Sequence, residues 1–114
     1  MAESELERTF DFYWTALGGG ALDMLVKLFP PRKWEYDRVD RQAKVIVECE
    51  GQGGRHQTFM GFENDAEKYN KAVAEGYALF RVTSKMLRDD PAGVLTPIME
   101  TIERNRRERD DNAG

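Results

Sequence analysis

The segment that most restricts the fold of this chain is Val45–Glu50, in which three β-branched residues precede two acids that flank a cysteine. β-Branched residues favour strands, and alternate residues of a strand point to opposite faces of the sheet. Glu48 and Glu50 therefore share one face, while Cys49 points to the other and is expected to be a buried small hydrophobe. Two acids on a hydrophobic strand are costly unless they are solvated, paired or bound to a cation.

A second acid-bearing strand is predicted just before this one, joined to it by a short polar turn. If the hairpin turns at residues 42–43, Asp37 lies opposite Glu48 and Glu35 lies opposite Glu50. Like charges facing each other across a sheet repel, so the cluster calls for a compensating cation. Carboxylate oxygens suit Mg²⁺ or Mn²⁺ better than zinc. The alternative is a solvated strand face on which acids alternate by chance.

The remaining patterns alternate between helix and strand, which predicts an α/β domain with a mixed sheet flanked by helices. Ser4 and Glu7 form the Ser-x-x-Glu pattern that starts a helix, and Gly76 is suited to ending one. The predicted elements are a helix at 4–17, a short helix or strand within 22–29, strands at 33–39 and 43–50, a helix at 61–75, a strand at 77–82, a helical turn at 84–88 and a helix at 91–105. One domain would cover residues 1–105, followed by a charged tail at 106–114 that we expect to fray.

Composition excludes several classes of protein. With 114 residues the chain is expected to form one domain. A single cysteine rules out an intramolecular disulfide and a multi-cysteine zinc site, and the single histidine, His56, rules out a two-histidine metal site. No apolar run is long enough for a membrane helix, and the acidic N-terminus is unlike a signal peptide. These features predict a cytoplasmic protein.

The net charge of −4 at first argues against a nucleic-acid partner, but the charge is unevenly distributed. Residues 1–26 hold five acids and one base, whereas residues 27–55 hold seven bases and five acids. Three of those five acids belong to the predicted cation site. A bound divalent ion would therefore leave this stretch clearly positive, and binding to DNA is compatible with the composition.

Five blocks along the chain, one of them in the acidic strand, carry a resemblance to a known family. The blocks are Arg32-Lys33-Trp34-x-Tyr36-Asp37, Val47-Glu48-x-Glu50-Gly51, Gly53-Gly54-Arg55-His56, Gly61-Phe62-Glu63-x-Asp65-x-Glu67-Lys68-Tyr69-Asn70 and Phe80-Arg81-Val82-Thr83. They resemble the PD-(D/E)xK nuclease superfamily, in which an Asp precedes a strand bearing Glu-x-Lys and some members replace the Lys with Glu. Within it, the chain is most similar to phage and bacterial proteins like Holliday-junction resolvases and very-short-patch-repair endonucleases.

The resemblance implies a restriction-endonuclease-like fold and a Mg²⁺-dependent DNA endonuclease, with Mn²⁺ as a substitute ion. The implied metal ligands are Asp37, Glu48, Glu50, Glu7 and the Cys49 carbonyl. Lys68 would supply the positive charge missing from the Glu-x-Lys position, and His56 would orient water or contact the scissile phosphate. The alternatives are that Lys68 pairs with Asp65, that His56 is incidental, and that Glu7 serves only the helix cap.

The implied DNA contacts are Arg32, Lys33, Arg55 and Arg81, although Arg81 could instead form a structural ion pair. Branched DNA such as a Holliday junction is the first expected substrate, and cutting two strands of a junction calls for a homodimer. A phage-encoded protein of this kind would act in the bacterial host cytoplasm. The alternatives are a non-catalytic DNA-binding or assembly module on the same fold, and a mismatch or repair nicking enzyme.

The chain also departs from the family pattern in three places. Glu35 replaces a basic residue, Arg38 and Val39 stand where apolar or aromatic residues are usual, and the loop after Glu50 is short. These departures concern loop geometry and substrate choice more than the acidic site.

Overall fold

The computed structural model describes residues 4–51 and 59–113, with side chains at 4–51 and 61–112. Among these residues it contains four helices and four strands. The helices are α1 (Glu5–Ala16), α2 (Phe59–Ala74), α3 (Ser84–Asp89) and α4 (Pro91–Ala113), and the strands are β1 (Asp23–Val26), β2 (Tyr36–Asp40), β3 (Val45–Glu50) and β4 (Ala78–Thr83).

The four strands form one mixed sheet in the order β1-β2-β3-β4. β1 and β3 both run antiparallel to β2, whereas β3 and β4 are parallel. A parallel pair needs a long connection, and α2 lies within that connection. The predicted mixed α/β sheet flanked by helices is confirmed.

Side chains that alternate along β3 divide the core into two layers. Val45 and Val47 pack with α1, α3 and α4, while Ile46 packs with β1, β2 and Ala72 of α2. Three helices therefore cover one face and α2 covers the other. Glu48 and Glu50, which share the face of Ile46, point to the side on which α2 lies.

The first helix begins and ends as its sequence predicts. The Glu7 amide donates to Ser4 Oγ at 3.0 Å, so the capping interaction is present. After the helix, Gly18 has a φ of +91°, a conformation that glycine adopts easily. Trp14 then donates from Nε1 to the Gly20 carbonyl at 2.7 Å, and its ring lies so close to Gly19 that a side chain there would overlap it.

Two predicted boundaries are sharpened by the structure. The ambiguous segment at 22–29 contains the edge strand β1, not a helix. The strand predicted at 33–39 begins only at Tyr36, because the preceding residues turn away to meet α2. There, Arg32 pairs with Glu67 at 2.9 Å, and Trp34 Nε1 donates to Asn64 Oδ1 at 3.1 Å.

The last helix is longer than the predicted 91–105, since α4 continues through the residues expected to fray and ends at Ala113. Contacts with the β2–β3 turn explain the extension. Asn105 Nδ2 donates to the Ala43 carbonyl at 3.0 Å, and Arg106 Nη2 lies 2.7 Å from the buried carboxylate of Asp40. The tail residues are thus held by a hairpin distant in the sequence.

Candidate functional site

The β2–β3 register brings two predicted acids together at the open end of the hairpin. Arg38 pairs with Val47, and the same register continued places Asp37 opposite Glu48, as predicted. Asp37 Oδ2 accepts a hydrogen bond from the Cys49 amide at 2.8 Å. The Asp37 carboxylate therefore lies against the backbone of β3 beside Glu48.

Glu48 is the central residue of this end of the sheet and is only 3% exposed. Lys68 Nζ of α2 lies 2.7 Å from Glu48 Oε1. This contact has the distance of an ion pair but not the angles of a hydrogen bond, and Oε1 has no hydrogen-bond partner among the described residues. The Lys68 charge at this distance offsets part of the cost of burying the carboxylate, without supplying a well-aligned hydrogen bond.

Packing of α2 on the sheet holds Lys68 at this position. Tyr36 of β2 donates from its hydroxyl to the Lys68 carbonyl at 2.8 Å, and the Lys68 ammonium lies 4.9 Å from the centre of the Tyr36 ring. The Lys68 side chain is 14% exposed, so one part of it reaches solvent. A mostly desolvated ammonium interacts more strongly with nearby charge than one in water.

Burial and the acidic neighbour change the protonation of Glu48. Burial raises its pKa, the hydrogen bond to Asp37 raises it further and Lys68 lowers it, with a net value of about 8. A buried carboxyl beside a second acid is harder to ionise than one in water. Glu48 therefore retains a proton near neutral pH.

Glu50 sits in the opposite electrostatic environment, at the end of the same strand. Tyr69 donates to Glu50 Oε1 at 2.6 Å, and Arg81 Nε donates to the same oxygen at 2.9 Å. Burial alone would raise the pKa of Glu50, but these two donors outweigh it and the pKa is lowered. Glu50 is therefore the ionised acid of the site, and Glu48 is the one that holds a proton.

On the other face of the sheet, Glu7 belongs to a charge network around a buried arginine. Arg38 is 1% exposed and pairs with Asp11 at 2.7 Å and with Glu7 at 3.4 Å. Arg38 Nη1 also donates to the Asp37 carbonyl at 2.8 Å, which links α1 to the backbone of the site. The described polar contacts of Glu7 are with Ser4 and Arg38, so its role as a metal ligand stays a prediction.

An open cleft of about 690 Å³ adjoins Lys68. The segment before β2 forms one wall and α2 forms the other, and the lining residues are Pro31, Arg32, Lys33, Trp34, Glu35, Asn64, Asp65 and Lys68. The Arg32 guanidinium lies 3.9 Å from the centre of the Trp34 ring, a stacked cation–π arrangement. Glu35, expected to join the acids opposite Glu50, precedes the strand and lines this cleft instead.

The structure thus assembles part of the predicted site. Asp37, Glu48 and Lys68 are neighbours. The contact of Lys68 is with Glu48, whereas the alternative expectation was a pair with Asp65. Cys49 is half-buried on the α1 face, with burial raising the pKa of its thiol. Arg55 and His56 lie outside the described residues, so their predicted roles are untested.

Tyr69 and the Arg38–Asp11 pair were missed by sequence reasoning. Tyr69 belongs to a block that carries the resemblance, but nothing in the helical pattern points it at Glu50. Arg38 was noticed only as a departure from the family pattern. Its position next to Asp37 on the strand places it on the opposite face of the sheet but does not indicate a partner on α1. Each depends on a contact between distant segments.

The acids do not form a ready metal cage in this structure. Within residues 4–51 and 61–112, no group of three or more acidic, cysteine or histidine side chains is arranged to hold a metal ion. The contacts described above explain why: Asp37 bonds the β3 backbone, Glu48 faces Lys68, and Glu50 is held by Tyr69 and Arg81.

Comparison of the chain with protein-family models, curated proteins and solved structures finds no significant match. In the part of the chain that the structure covers, no helix is long and apolar enough to cross a membrane. The function is therefore inferred from the chemistry of the site itself.

Proposed function

We propose that this protein is a Mg²⁺-dependent DNA endonuclease with the restriction-endonuclease-like variant of the α/β fold. The observation that carries the proposal is the buried Glu48 carboxylate, which lies beside Asp37 and 2.7 Å from the Lys68 ammonium. Two acids and a lysine at the end of a β-hairpin match the chemistry of the PD-(D/E)xK pattern. The lysine comes from α2 and not from the strand.

The donor set fits a hard divalent cation. Glu48 Oε1 is buried, with no hydrogen-bond partner among the described residues and with the Lys68 ammonium 2.7 Å away, and neither donor of Glu50 uses its Oε2. Carboxylate oxygens are the ligands that Mg²⁺ and Mn²⁺ prefer. Asp37, Glu48 and Glu50 would hold the ion once Glu48 has lost its proton, with the Cys49 carbonyl and Glu7 as further candidates.

The proposed chemistry is hydrolysis of a phosphodiester bond. A bound divalent ion supplies Lewis-acid polarisation of the phosphoryl oxygen and a more acidic water. Lys68 offsets negative charge that develops on the phosphate, from a largely desolvated position where its charge is weakly screened. Glu50, kept ionised by Tyr69 and Arg81, supplies negative charge that attracts the cation.

The open cleft beside Lys68 gives the DNA backbone a path to the site. Arg32 and Lys33 stand on its wall, and both are exposed. Basic side chains that contact phosphates provide affinity without sequence preference. Arg32 also pairs with exposed Glu67, so the phosphate competes with that carboxylate for the guanidinium.

Branched DNA is the proposed substrate, cut by a homodimer that supplies one site per strand. A nicking enzyme for mismatch repair would use the same residues on a different DNA. A non-catalytic DNA-binding module is the second candidate, favoured by one observation: each of the three acids is engaged by a protein group in the described structure.

A cleavage assay tests the proposal. Wild-type protein is incubated with a labelled four-way junction, a duplex of the same sequence and supercoiled plasmid, each in Mg²⁺, Mn²⁺ or EDTA. We expect cleavage in Mg²⁺ and Mn²⁺, none in EDTA, and loss of cleavage with retained DNA binding in Asp37→Asn and Glu48→Gln.

The matched control is Glu75→Gln, which removes an exposed acid that pairs with Lys71 at 2.9 Å far from the site. It should cut like the wild type. Cleavage that persists in both site variants would refute the assigned residues. DNA binding by the wild type with no cleavage of any substrate would favour the non-catalytic module.

A further inference from the structure

We infer that Tyr69 and Arg81 are positioning residues, which anchor the Glu50 carboxylate through Oε1 and leave its other oxygen, Oε2, to bind the divalent cation. The inference rests on the proposed function. It assigns Tyr69 a role that the sequence did not suggest, and it gives Arg81 a task other than the DNA contact expected from the resemblance.

Both donors converge on one oxygen atom from different elements of the fold. The Tyr69 hydroxyl of α2 lies 2.6 Å from Glu50 Oε1, and Arg81 Nε of β4 lies 2.9 Å from it. Neither bond involves Oε2. Two donors on a single carboxylate oxygen fix the rotation of the group and so determine which oxygen faces an incoming ligand.

The two donors, Tyr69 and Arg81, also contact each other. The Arg81 guanidinium lies 4.8 Å from the centre of the Tyr69 ring, close enough for a cation–π contact. The register pairs Arg81 with Glu48 and places Thr83 beside Glu50, so the Arg81 side chain reaches along the strand to its partner. Helix, strand and acid form one connected unit: Tyr69, Arg81 and Glu50.

Anchoring of this kind matters because a free carboxylate must lose torsional freedom when it binds a metal. Hydrogen bonds to ligating carboxylates hold them in the binding orientation beforehand, and losing such a partner typically costs about 10- to 100-fold in metal affinity. The inference therefore predicts a change in metal binding even when no DNA is present. A DNA contact predicts no such change.

Arg81 is the residue for which a role in positioning Glu50 and a role in DNA contact predict different results. Its side chain is 56% exposed, so it is accessible to a phosphate, but its Nε is already committed to Glu50. A lysine or arginine that binds a phosphate contributes to the salt dependence of DNA affinity, with a loss of about one unit of slope on removal. A residue that only positions Glu50 leaves that slope unchanged.

The test is calorimetric titration of Mn²⁺ into the DNA-free full chain at pH 7.5. The variants are Tyr69→Phe, which keeps the ring and removes the donor, and Arg81→Gln. Glu50→Gln removes the carboxylate, and Lys71→Gln is the matched control, an exposed cation on the same helix as Tyr69 that pairs with Glu75. Thermal unfolding in EDTA identifies any variant that has lost the fold at the titration temperature, and DNA affinity in EDTA is measured across a salt series.

We expect about 10-fold weaker Mn²⁺ binding for Tyr69→Phe and for Arg81→Gln, wild-type binding for Lys71→Gln, and wild-type salt slopes for the two positioning variants. Wild-type Mn²⁺ affinity in both folded positioning variants would overturn the inference while leaving the proposed metal site intact. A lower salt slope for Arg81→Gln with unchanged Mn²⁺ affinity would make Arg81 a DNA contact instead. Failure of the wild type itself to bind Mn²⁺ would overturn the proposed function together with the inference.

Discussion

The ammonium group of Lys68 on α2 lies 2.7 Å from Oε1 of Glu48, a buried acid on β3. The two residues meet because α2 packs over the acidic face of the sheet, held by the Tyr36 hydroxyl at the Lys68 carbonyl. This contact supplies from a helix the positive charge that a Glu-x-Glu strand lacks. The proposed mechanism depends on it.

Replacing Lys68 tests that dependence directly. In Lys68→Met we expect the single-turnover cleavage rate to fall by about 10²- to 10³-fold, the usual cost of removing one group that stabilises transition-state charge. DNA binding should change little, since one largely buried ammonium adds little to a surface that binds phosphate. Quenched-flow cleavage of the junction gives the rate.

The control for this change is Lys71→Met, one turn further along α2, where the lysine pairs with Glu75. It should cut at the wild-type rate. A Lys68→Met protein that cleaves normally would remove Lys68 from the mechanism and leave its contact with Glu48 a purely structural one.

The protonation of Glu48 predicts how the stability of the metal-free protein depends on pH. Its pKa is raised from an ordinary 4.5 to about 8, so the folded chain retains a proton that the unfolded chain releases. The stability contributed by this group is fully present below pH 4.5 and is lost as the pH rises through about 8. The free energy of unfolding should therefore fall between pH 6 and 8, at a rate of up to about 1.4 kcal/mol per pH unit.

Urea unfolding in EDTA at several pH values measures this slope. Glu50 does not interfere, because its pKa is lowered and it stays ionised in both states over that range. Glu48→Gln cannot ionise and should show a flatter profile, with a relative gain in stability at pH 8. Equal slopes for the wild type and Glu48→Gln would contradict the raised pKa.

Lys33 on the wall of the open cleft provides a test of the DNA path. In Lys33→Ala we expect weaker junction binding and a salt slope smaller by about one unit, as for the loss of one phosphate contact. Lys85→Ala is the control, since Lys85 is exposed on α3 and pairs with Asp89 on the other side of the sheet. Fluorescence anisotropy in EDTA at several salt concentrations gives both slopes. An unchanged slope for Lys33→Ala would place the DNA elsewhere.

The turn after α1 predicts a stability effect that is independent of function. A Cβ added at Gly19 would overlap the indole of Trp14, whose Nε1 bonds the Gly20 carbonyl at 2.7 Å. Gly19→Ala should lower the free energy of unfolding by about 1–3 kcal/mol, the usual cost of overpacking. Gly20→Ala adds its methyl group in open space and should be close to neutral. Similar values for the two variants in urea unfolding would disprove the predicted overlap.

Local patterns predicted the elements and the acidic hairpin well, because they depend on residues close in sequence. Alternation in Val45–Glu50 placed both acids on one face, and a short turn left few registers for Asp37. The capping pair at Ser4 and the glycine at residue 76, whose φ is +90°, also acted locally. Each of these predictions depends on strand alternation, turn length or helix capping, which are determined by residues close together in the sequence.

Contacts between distant elements were beyond such reasoning. The rotation of α2 about its axis decides that Lys68 meets Glu48 and that Tyr69 meets Glu50, and this rotation is fixed by packing of the whole layer. The extension of α4 follows from the Arg106–Asp40 ion pair, which spans most of the chain. A charged tail looks the same in sequence whether or not such a partner exists.

Anomalous scattering of Mn²⁺ in crystals of the wild-type protein bound to junction DNA tests the proposed metal site directly. We expect a strong peak coordinated by the carboxylates of Asp37, Glu48 and Glu50 and by an oxygen of a DNA phosphate. The same crystals of Glu48→Gln should show a much weaker peak. A wild-type complex with the DNA in place and no Mn²⁺ at these three acids would contradict the claim that they form the centre of a metal-dependent nuclease.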